Sequence, residues 1–292
     1  MAEPLPKISI VTPSYNQGRF LEEAMLSVLT QDYPDLEYVV VDGGSTDGSV
    51  DLIRRHEERL AYWVSKPDAG QYDALDKGFS KTTGEVMAWL NSDDKYTPWA
   101  FQIVGEIFAS LPEVEWLTTL YPLTWDERGR ATRCTYQSGY SRQGFFRGEN
   151  LPGAGWFAKG FIQQESTFWR RSLWDRAGGY VATSLKLASD FELWARFYQQ
   201  AELYGVGTPL AGFRVHRDQK TALHFDEYIQ EAKQVLLNSG DGRPYSKVES
   251  FLRAKVLPYI PRRWATRLGL LYPHKICTHR IHQEGWKVST SR

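Results

Sequence analysis

Cysteine is nearly absent. Cys134 and Cys277 are the only two in 292 residues, too few for a disulfide framework or a thiolate metal cage, so both read as reduced and structural. Long apolar runs are missing as well: no stretch approaches the roughly 20 residues that span a bilayer, which excludes a transmembrane helix. The start, Met1-Ala2-Glu3-Pro4-Leu5-Pro6-Lys7, lacks the basic and apolar regions of a signal peptide, and the expected compartment is the cytoplasm. There is also no net charge, with 35 Lys and Arg against 35 Asp and Glu, and no nucleic-acid partner is expected of such a balance.

What is present supports a sizeable core. Hydrophobic residues make up 42% of the chain and aromatics 14%, enough for one large globular domain or two small ones. The charge is unevenly spread: residues 241–292 hold eleven basic and three acidic residues, a net of +8, so the first 240 carry −8. That basic segment is interleaved with Trp264, Leu268, Leu270, Leu271, Tyr272 and Trp286. It suits peripheral contact with an anionic membrane at the inner face, or a solvated tail or a lid packed on the body.

Four segments repeat one pattern. Lys7 to Val11, Glu37 to Val41, Leu60 to Val64 and Val86 to Leu90 are apolar or β-branched, and each runs through a polar loop into residues of helical spacing. Continuous apolar strands alternating with helices predict an α/β fold whose mostly parallel central sheet is flanked by helices. Ligands of such sheets bind at the carboxyl ends of the strands. There lie Thr12 to Asn16, Asp42 to Ser45, Asp68 to Asp73 and Asn91 to Asp94, which can line one crevice. The carboxylates Asp93 and Asp94 suit a divalent cation with open positions for phosphate; they also suit a turn and the cap of a helix opened near Pro98. Beyond Tyr121 little regular pattern is visible. Ser189-Asp190-Phe191-Glu192 then has the form of a capping box, with Asp190 in the first helical turn, where the helix dipole favours an anion able to act as a general base.

Taken together, Val11-Thr12-Pro13-Ser14-Tyr15-Asn16, Val41-Asp42-Gly43-Gly44-Ser45-Thr46-Asp47-Gly48-Ser49, Lys66-Pro67-Asp68-Ala69-Gly70-Gln71-Tyr72-Asp73-Ala74, Leu90-Asn91-Ser92-Asp93-Asp94 and Ala188-Ser189-Asp190-Phe191-Glu192-Leu193-Trp194 resemble a family 2 glycosyltransferase from about Lys7 to Thr221. The resemblance implies the A-type glycosyltransferase fold, a nucleotide-diphosphate sugar donor (a UDP-sugar first, with GDP and dTDP donors also open), Mn2+ or Mg2+, and transfer with inversion. It implies a catalytic domain over 1–240, with a nucleotide-sugar half to about 121 and an acceptor half beyond, followed by a basic helical extension over 241–292.

By position, Thr12, Pro13, Tyr15, Asn16, Asp42, Gly43 and Ser45 then surround the base and ribose, Tyr15 stacking and Asp42 accepting. Asp68, Gly70 and Asn91 frame the same pocket, Asp93 faces ribose and sugar and can join the metal, and Asp94 ligates the metal. Asp190 takes the place of the base. Gln164, Glu165, Trp156 and Trp169 fall on the acceptor side, the two indoles as sugar platforms or as core. His216 stands as an added metal ligand or as a plain hydrogen-bonding residue, and Arg214 and Lys220 as phosphate neighbours. The implied acceptor is a glycan, and the basic extension suggests a lipid-linked one in cell-surface glycan synthesis. Other readings fare worse. A sugar nucleotidyltransferase needs a Gly-rich basic loop where Thr12 to Gly18 stands, a processive synthase needs membrane spans and a Gln before Arg263-Trp264, and an inactive binding module would lack the carboxylate at 190.

Overall fold

The computed structural model describes residues 4–151, 153, 159–219, 223–240, 242–279 and 285–291. The four apolar segments become strands β1 (Ile8–Ser14), β2 (Leu36–Asp42), β3 (Tyr62–Ser65) and β4 (Val86–Trp89), and the first three run into helices α1 (Gly18–Leu29), α2 (Ser49–Arg55) and α3 (Gln71–Phe79). Every residue of β1 and β4 is buried, as strands covered on both faces by helices must be. Helix α1 shows the complementary pattern, burying Phe20, Leu21, Ala24, Met25, Val28 and Leu29 along one stripe. A two-residue strand β5 (Lys95–Tyr96) precedes α4 (Ala100–Ser110). Neither Asp93 nor Asp94 caps that helix, whose N-cap is Trp99.

The chain continues through β6 (Trp116–Thr119), β7 (Leu123–Trp125), β8 (Ala131–Cys134), α5 (Arg142–Phe146), β9 (Phe168–Arg170), α6 (Arg171–Arg176), α7 (Ser189–Gln200), β10 (Leu203–Val206) and β11 (Ala211–Arg214). Helices α8 (Phe225–Asn238), α9 (Lys247–Val256) and α10 (Arg262–Arg267) and strands β12 (His274–His279) and β13 (Trp286–Ser291) follow. Nine strands form the central sheet in the order β13-β12-β10-β6-β9-β4-β1-β2-β3. It is mostly parallel, as expected, with β9 inserted antiparallel between β4 and β6.

Register lines up the strand ends that matter. Ser14 lies opposite Asp42 and Asp42 opposite Ser65, while the Leu90 amide donates to the Val11 carbonyl at 3.0 Å. All four polar loops therefore open at one sheet edge. Beneath it Trp89, Trp116, Trp169 and Trp194 form a buried indole cluster, with Trp89 and Trp194 stacked at 5.9 Å and 10°.

Two regions depart from expectation. The stretch after Tyr121 supplies three strands of a small second sheet, β5-β11-β7-β8, which β5 joins from before it, hidden from periodicity because its strands are two to four residues long and β8 is wholly exposed. The extension over 241–292 is not helical throughout. Its last described part is a hairpin, β12 pairing parallel with β10 and antiparallel with β13, with Cys277 buried and Trp286 donating to Glu106 Oε2 at 3.0 Å.

Candidate active site

At the loop-bearing edge of the sheet lies a cavity of about 720 Å3. One wall comes from the four strand-end loops, through Pro13, Ser14, Tyr15, Gly43, Gly44, Asp68, Gly70, Asn91 and Asp93. Tyr15 is 61% exposed, a ring free to stack. Gly43 lies so near the Asp68 carboxylate that a Cβ would sit 3.0 Å from its Oδ2, and Gly70, at φ 116°, takes a backbone shape few side chains permit.

Local hydrogen bonds hold this wall rigid and remove several expected residues from the cavity. The Asp42 carboxylate is buried and accepts from Gly44 N (3.1 Å), Ser45 N (2.9 Å), Ser45 Oγ (2.5 Å) and Ser65 Oγ (2.7 Å). Three of these donors fall on Oδ2 and one on Oδ1, so the loop and Ser65 of β3 engage most of the carboxylate, and Asp42 stands behind the residues that line the cavity. Asn16 and Ser45 cross-link the first two loops, Asn16 N donating to Ser45 Oγ at 2.8 Å and Thr46 N to Asn16 Oδ1 at 2.9 Å. Thr12 is buried in β1, bonded to the Tyr38 hydroxyl at 2.9 Å.

The two neighbouring aspartates divide differently from expectation. Asp93 faces the cavity, and its Oδ2 lies 2.9 Å from His216 Nε2. Asp94 is fully buried and turned to the protein, its Oδ1 accepting from the Arg214 amide at 2.8 Å and its Oδ2 from Asn91 Nδ2 at 3.3 Å. Burial, with the charges of Asp93 and Glu165, pushes its carboxyl well above the usual range. Asp94 is therefore a strut, and Asp93 is the carboxylate of the two that faces the cavity, with His216 buried behind it.

Arg214 offers no charge to a phosphate either. It is fully buried, its guanidinium bonded to Glu23 Oε2 and to the Asp93 carbonyl, both at 2.6 Å. Lys220 and Trp156 lie outside the described residues. Among those described, no cluster of three or more His, Cys, Asp or Glu is poised around one metal point. The Asp93 carboxylate at the cavity nonetheless fits Mg2+ or Mn2+, hard cations that take carboxylate oxygen and keep several positions for water and phosphate oxygens.

The other wall comes from elements far apart in sequence. Asp190 lines it at the start of α7, accepting from its neighbour Phe191 N at 2.7 Å and from the Tyr228 hydroxyl of α8. Burial raises its carboxyl to about 7 against the lowering effect of those two bonds, and the charge of Glu231 pushes the same way as burial. Helix-dipole stabilisation was expected to hold this group anionic; desolvation is the stronger effect.

The capping box does not form. Ala188 occupies the N-cap, Ser189 Oγ turns back to the Ala182 carbonyl at 2.6 Å, and Glu192 pairs with Arg196 at 2.9 Å. The cap is supplied from α8 instead: Glu231 accepts from Lys186 N (3.0 Å), Leu187 N (2.9 Å) and Ala188 N (3.0 Å). Tyr72 of α3 ties down the same loop, its hydroxyl donating to the Leu187 carbonyl at 2.5 Å. Tyr228 and Glu231 were missed because only their tertiary neighbours mark them; the helical spacing of Tyr228, Ala232, Val235 and Leu236 predicts a buried face and nothing about Asp190.

Between the walls lies the turn Gln164–Ser166. Gln164 anchors it, donating to the Trp89 carbonyl at 2.6 Å and accepting from Asn91 Nδ2 at 3.2 Å, and Asn91 in turn accepts from Gln71 Nε2 at 2.8 Å. Glu165 is buried in the cavity wall, its carboxyl raised to about 8 by burial and by the charges of Asp190 and Asp93. Trp169, by contrast, is fully buried in the indole cluster, so it packs the core and presents no face to a sugar.

Comparison with known proteins agrees with this architecture. Residues 9–164 match the family model described as glycosyl transferase family 2. An uncharacterized glycosyltransferase of Nostoc sp. is 40% identical over 105 residues, covering 35% of this chain and 33% of its own. A putative teichuronic acid biosynthesis glycosyltransferase of Bacillus subtilis, TuaG, is 36% identical over 94 residues, covering 31% and 37%. The chain thus spans about a third of the length of these two relatives. Among solved structures, S. aureus TarS 1–349 in complex with UDP-GlcNAc superposes at a TM-score of 0.61 and 15% identity, over 91% of this chain and 76% of that one. A mannosyltransferase of Pyrobaculum calidifontis in complex with GDP-Man and Mn2+ gives 0.58 at 20% identity, over 90% and 73%. The fold is that of the A-type glycosyltransferases.

Proposed function

Because the chain belongs to glycosyl transferase family 2, we propose that it moves a sugar from a nucleotide-diphosphate donor, a UDP-sugar first among them, to an acceptor hydroxyl in one displacement with inversion. The observation that carries this reading is that Asp93 and Asp190, from distant parts of the chain, line one cavity of about 720 Å3, within the usual range for small-molecule sites. Asp190 accepts the proton of the acceptor hydroxyl as that oxygen bonds the anomeric carbon. The bond from that carbon to the diphosphate breaks on the opposite face, and the nucleoside diphosphate leaves with the electron pair, so no covalent enzyme intermediate forms. Tyr15 offers the stacking face for the base, while Gly43 and Gly70 let the backbone approach the nucleotide. Asp93, oriented by His216 behind it, is the residue that would hold Mn2+ or Mg2+, which when bound would neutralise charge on the departing diphosphate.

For the acceptor we propose a growing lipid-linked glycan. The Bacillus relative named for teichuronic acid biosynthesis supports a cell-surface polysaccharide. Exposed Phe251, Tyr259, Trp264 and Leu268 beside exposed Lys255, Arg263 and Arg267 support peripheral membrane contact. No helix among the described residues is long and apolar enough to cross a membrane. The first test is calorimetric titration with UDP, GDP and dTDP, each with and without Mn2+. Metal-dependent binding of one nucleotide is expected, and binding of none would remove the donor site. Changing Phe251, Tyr259 and Trp264 together to Ser should release the protein from phosphatidylglycerol vesicles; unchanged sedimentation would discard the membrane contact.

A further inference from the structure

Of the side-chain groups of Gln163–Glu165, the Gln164 carboxamide is the one tied to the strand ends. The Gln164 carboxamide bonds Trp89 and Asn91, while Gln163 Oε1 and Glu165 Oε1 are shut away from bulk water without any hydrogen-bond partner among the described residues. Both side chains line the cavity, and Glu165 is only 3% exposed. A buried polar atom left unpaired costs on the order of 1–3 kcal/mol, so two on one turn of a cavity wall mark a place that a ligand completes. Ser14 Oγ and Trp89 Nε1 are also buried and unpaired on cavity-lining residues, but each stands singly on its own strand, β1 and β4, whereas the unpaired indole nitrogens of Trp169 and Trp194 lie on residues that do not line the cavity.

What completes it follows from the neighbours. Glu165 lines the same cavity as Asp93 and Asp190, the groups assigned above to the diphosphate and to the attacking hydroxyl, and their charges act on its carboxyl. The part of the substrate that must lie near both is the sugar in transit. We propose that Gln163 and Glu165 form the subsite that hydrogen-bonds hydroxyls of the transferred sugar, with Glu165 a specificity-determining residue for the donor. A sugar ring supplies donors and acceptors together, which suits a carboxamide oxygen and a carboxyl side by side. Because burial favours the neutral carboxyl, Gln should replace Glu165 well and an apolar side chain of similar size should not.

This inference rests on the donor reading above. It is tested by calorimetry on the full chain as wild type, Glu165→Gln and Glu165→Leu, comparing UDP with UDP-glucose and UDP-GlcNAc, and GDP with GDP-mannose, in Mn2+. For the conjugate that wild type binds best, Glu165→Leu should weaken affinity at least ~10-fold, the loss of one hydrogen bond to a buried polar group. The bare nucleotide should be bound within about twofold of wild type, because the nucleotide contacts are elsewhere, and Glu165→Gln should keep the conjugate within about threefold. Removing a buried carboxyl with one oxygen unpaired should leave the melting temperature of Glu165→Leu at or above that of wild type, where a structural role would lower it. Equal affinities of Glu165→Leu and wild type for the conjugate, or a matching loss for the bare nucleotide, would overturn the subsite with the donor site intact. Failure of wild type to bind any nucleotide would instead remove the donor reading and the subsite with it.

Discussion

The two walls of the cavity are built in opposite ways. The wall of Tyr15, Gly43, Asp68 and Asp93 is made of loops that each follow a strand directly and are held by nearby bonds, Asp42 to Ser45 and Asn16 to Ser45 among them. The wall of Asp190 depends on elements far away: Glu231 reaches back over 40 residues to cap Lys186 to Ala188, and Tyr72 reaches forward 115 to Leu187. Loops of this kind are set by short-range bonds at the strand ends. A long-range assembly sets the environment of one carboxyl, and here it raises that carboxyl to about 7.

If the walls divide binding from chemistry, variants should separate along the same line. The largest effect is expected from Asp190→Asn, which should reduce transfer at least ~100-fold, the lower range for a general base, with donor affinity within a few-fold of wild type. Unchanged transfer would place the base elsewhere. Asp190 also leaves a mark on stability. Its folded pKa is raised, so its favourable contribution is complete below the ordinary carboxylate range and is lost as pH rises through about 7. Asp190→Asn should therefore melt above wild type at pH 8 and not at pH 5.

Next in size, Asp93→Ala should abolish most of the Mn2+-dependent gain in nucleotide affinity, about 10-fold or more given the effects of losing a metal ligand. Asp94→Asn should retain that gain, and Asp94→Ala should act on stability instead, costing roughly 1–3 kcal/mol for the unmatched Arg214 amide. Equal loss in the two alanine variants would erase the distinction between ligand and strut.

Glu231→Leu leaves three amides of the loop before α7 without their acceptor. It should lower kcat about 10-fold by misplacing Asp190 while leaving donor affinity near wild type, a split measurable by steady-state kinetics beside calorimetry. The smallest effect is expected from Tyr228→Phe. Its hydroxyl bond favours the ionised Asp190, so losing it moves the rising limb of the pH–rate profile upward, and a bond worth about 1 kcal/mol corresponds to about fivefold at pH 7. A limb that stays in place would show that Tyr228 only packs.

The contrast between the walls also explains how much was legible. Strand, loop and helix alternation from Lys7 to Leu111 reads directly from periodicity, because each element buries a face against its neighbours in sequence. The second sheet was hidden by strands of two to four residues, and the hairpin of β12 and β13 by a basic composition that suggested a tail. Within the site, Pro13, Tyr15, Asp68, Asn91, Asp93 and Asp190 could be named from their loops, yet which carboxylate of a pair faces inward depends on what packs behind it. Asp94 is claimed by the Arg214 amide, 120 residues on, and Trp169 by the indole cluster.

The sequence by itself determined the parallel sheet, its family and the edge where chemistry gathers, since hydrophobic periodicity and loop position are local properties of the chain. Only the tertiary structure decided which side chains reach the cavity, how far burial raises the Asp190 and Glu165 carboxyls, and that Tyr228 and Glu231 hold Asp190 and the loop before it. Burial and partnership, which set those outcomes, arise between residues that meet only when the chain has folded.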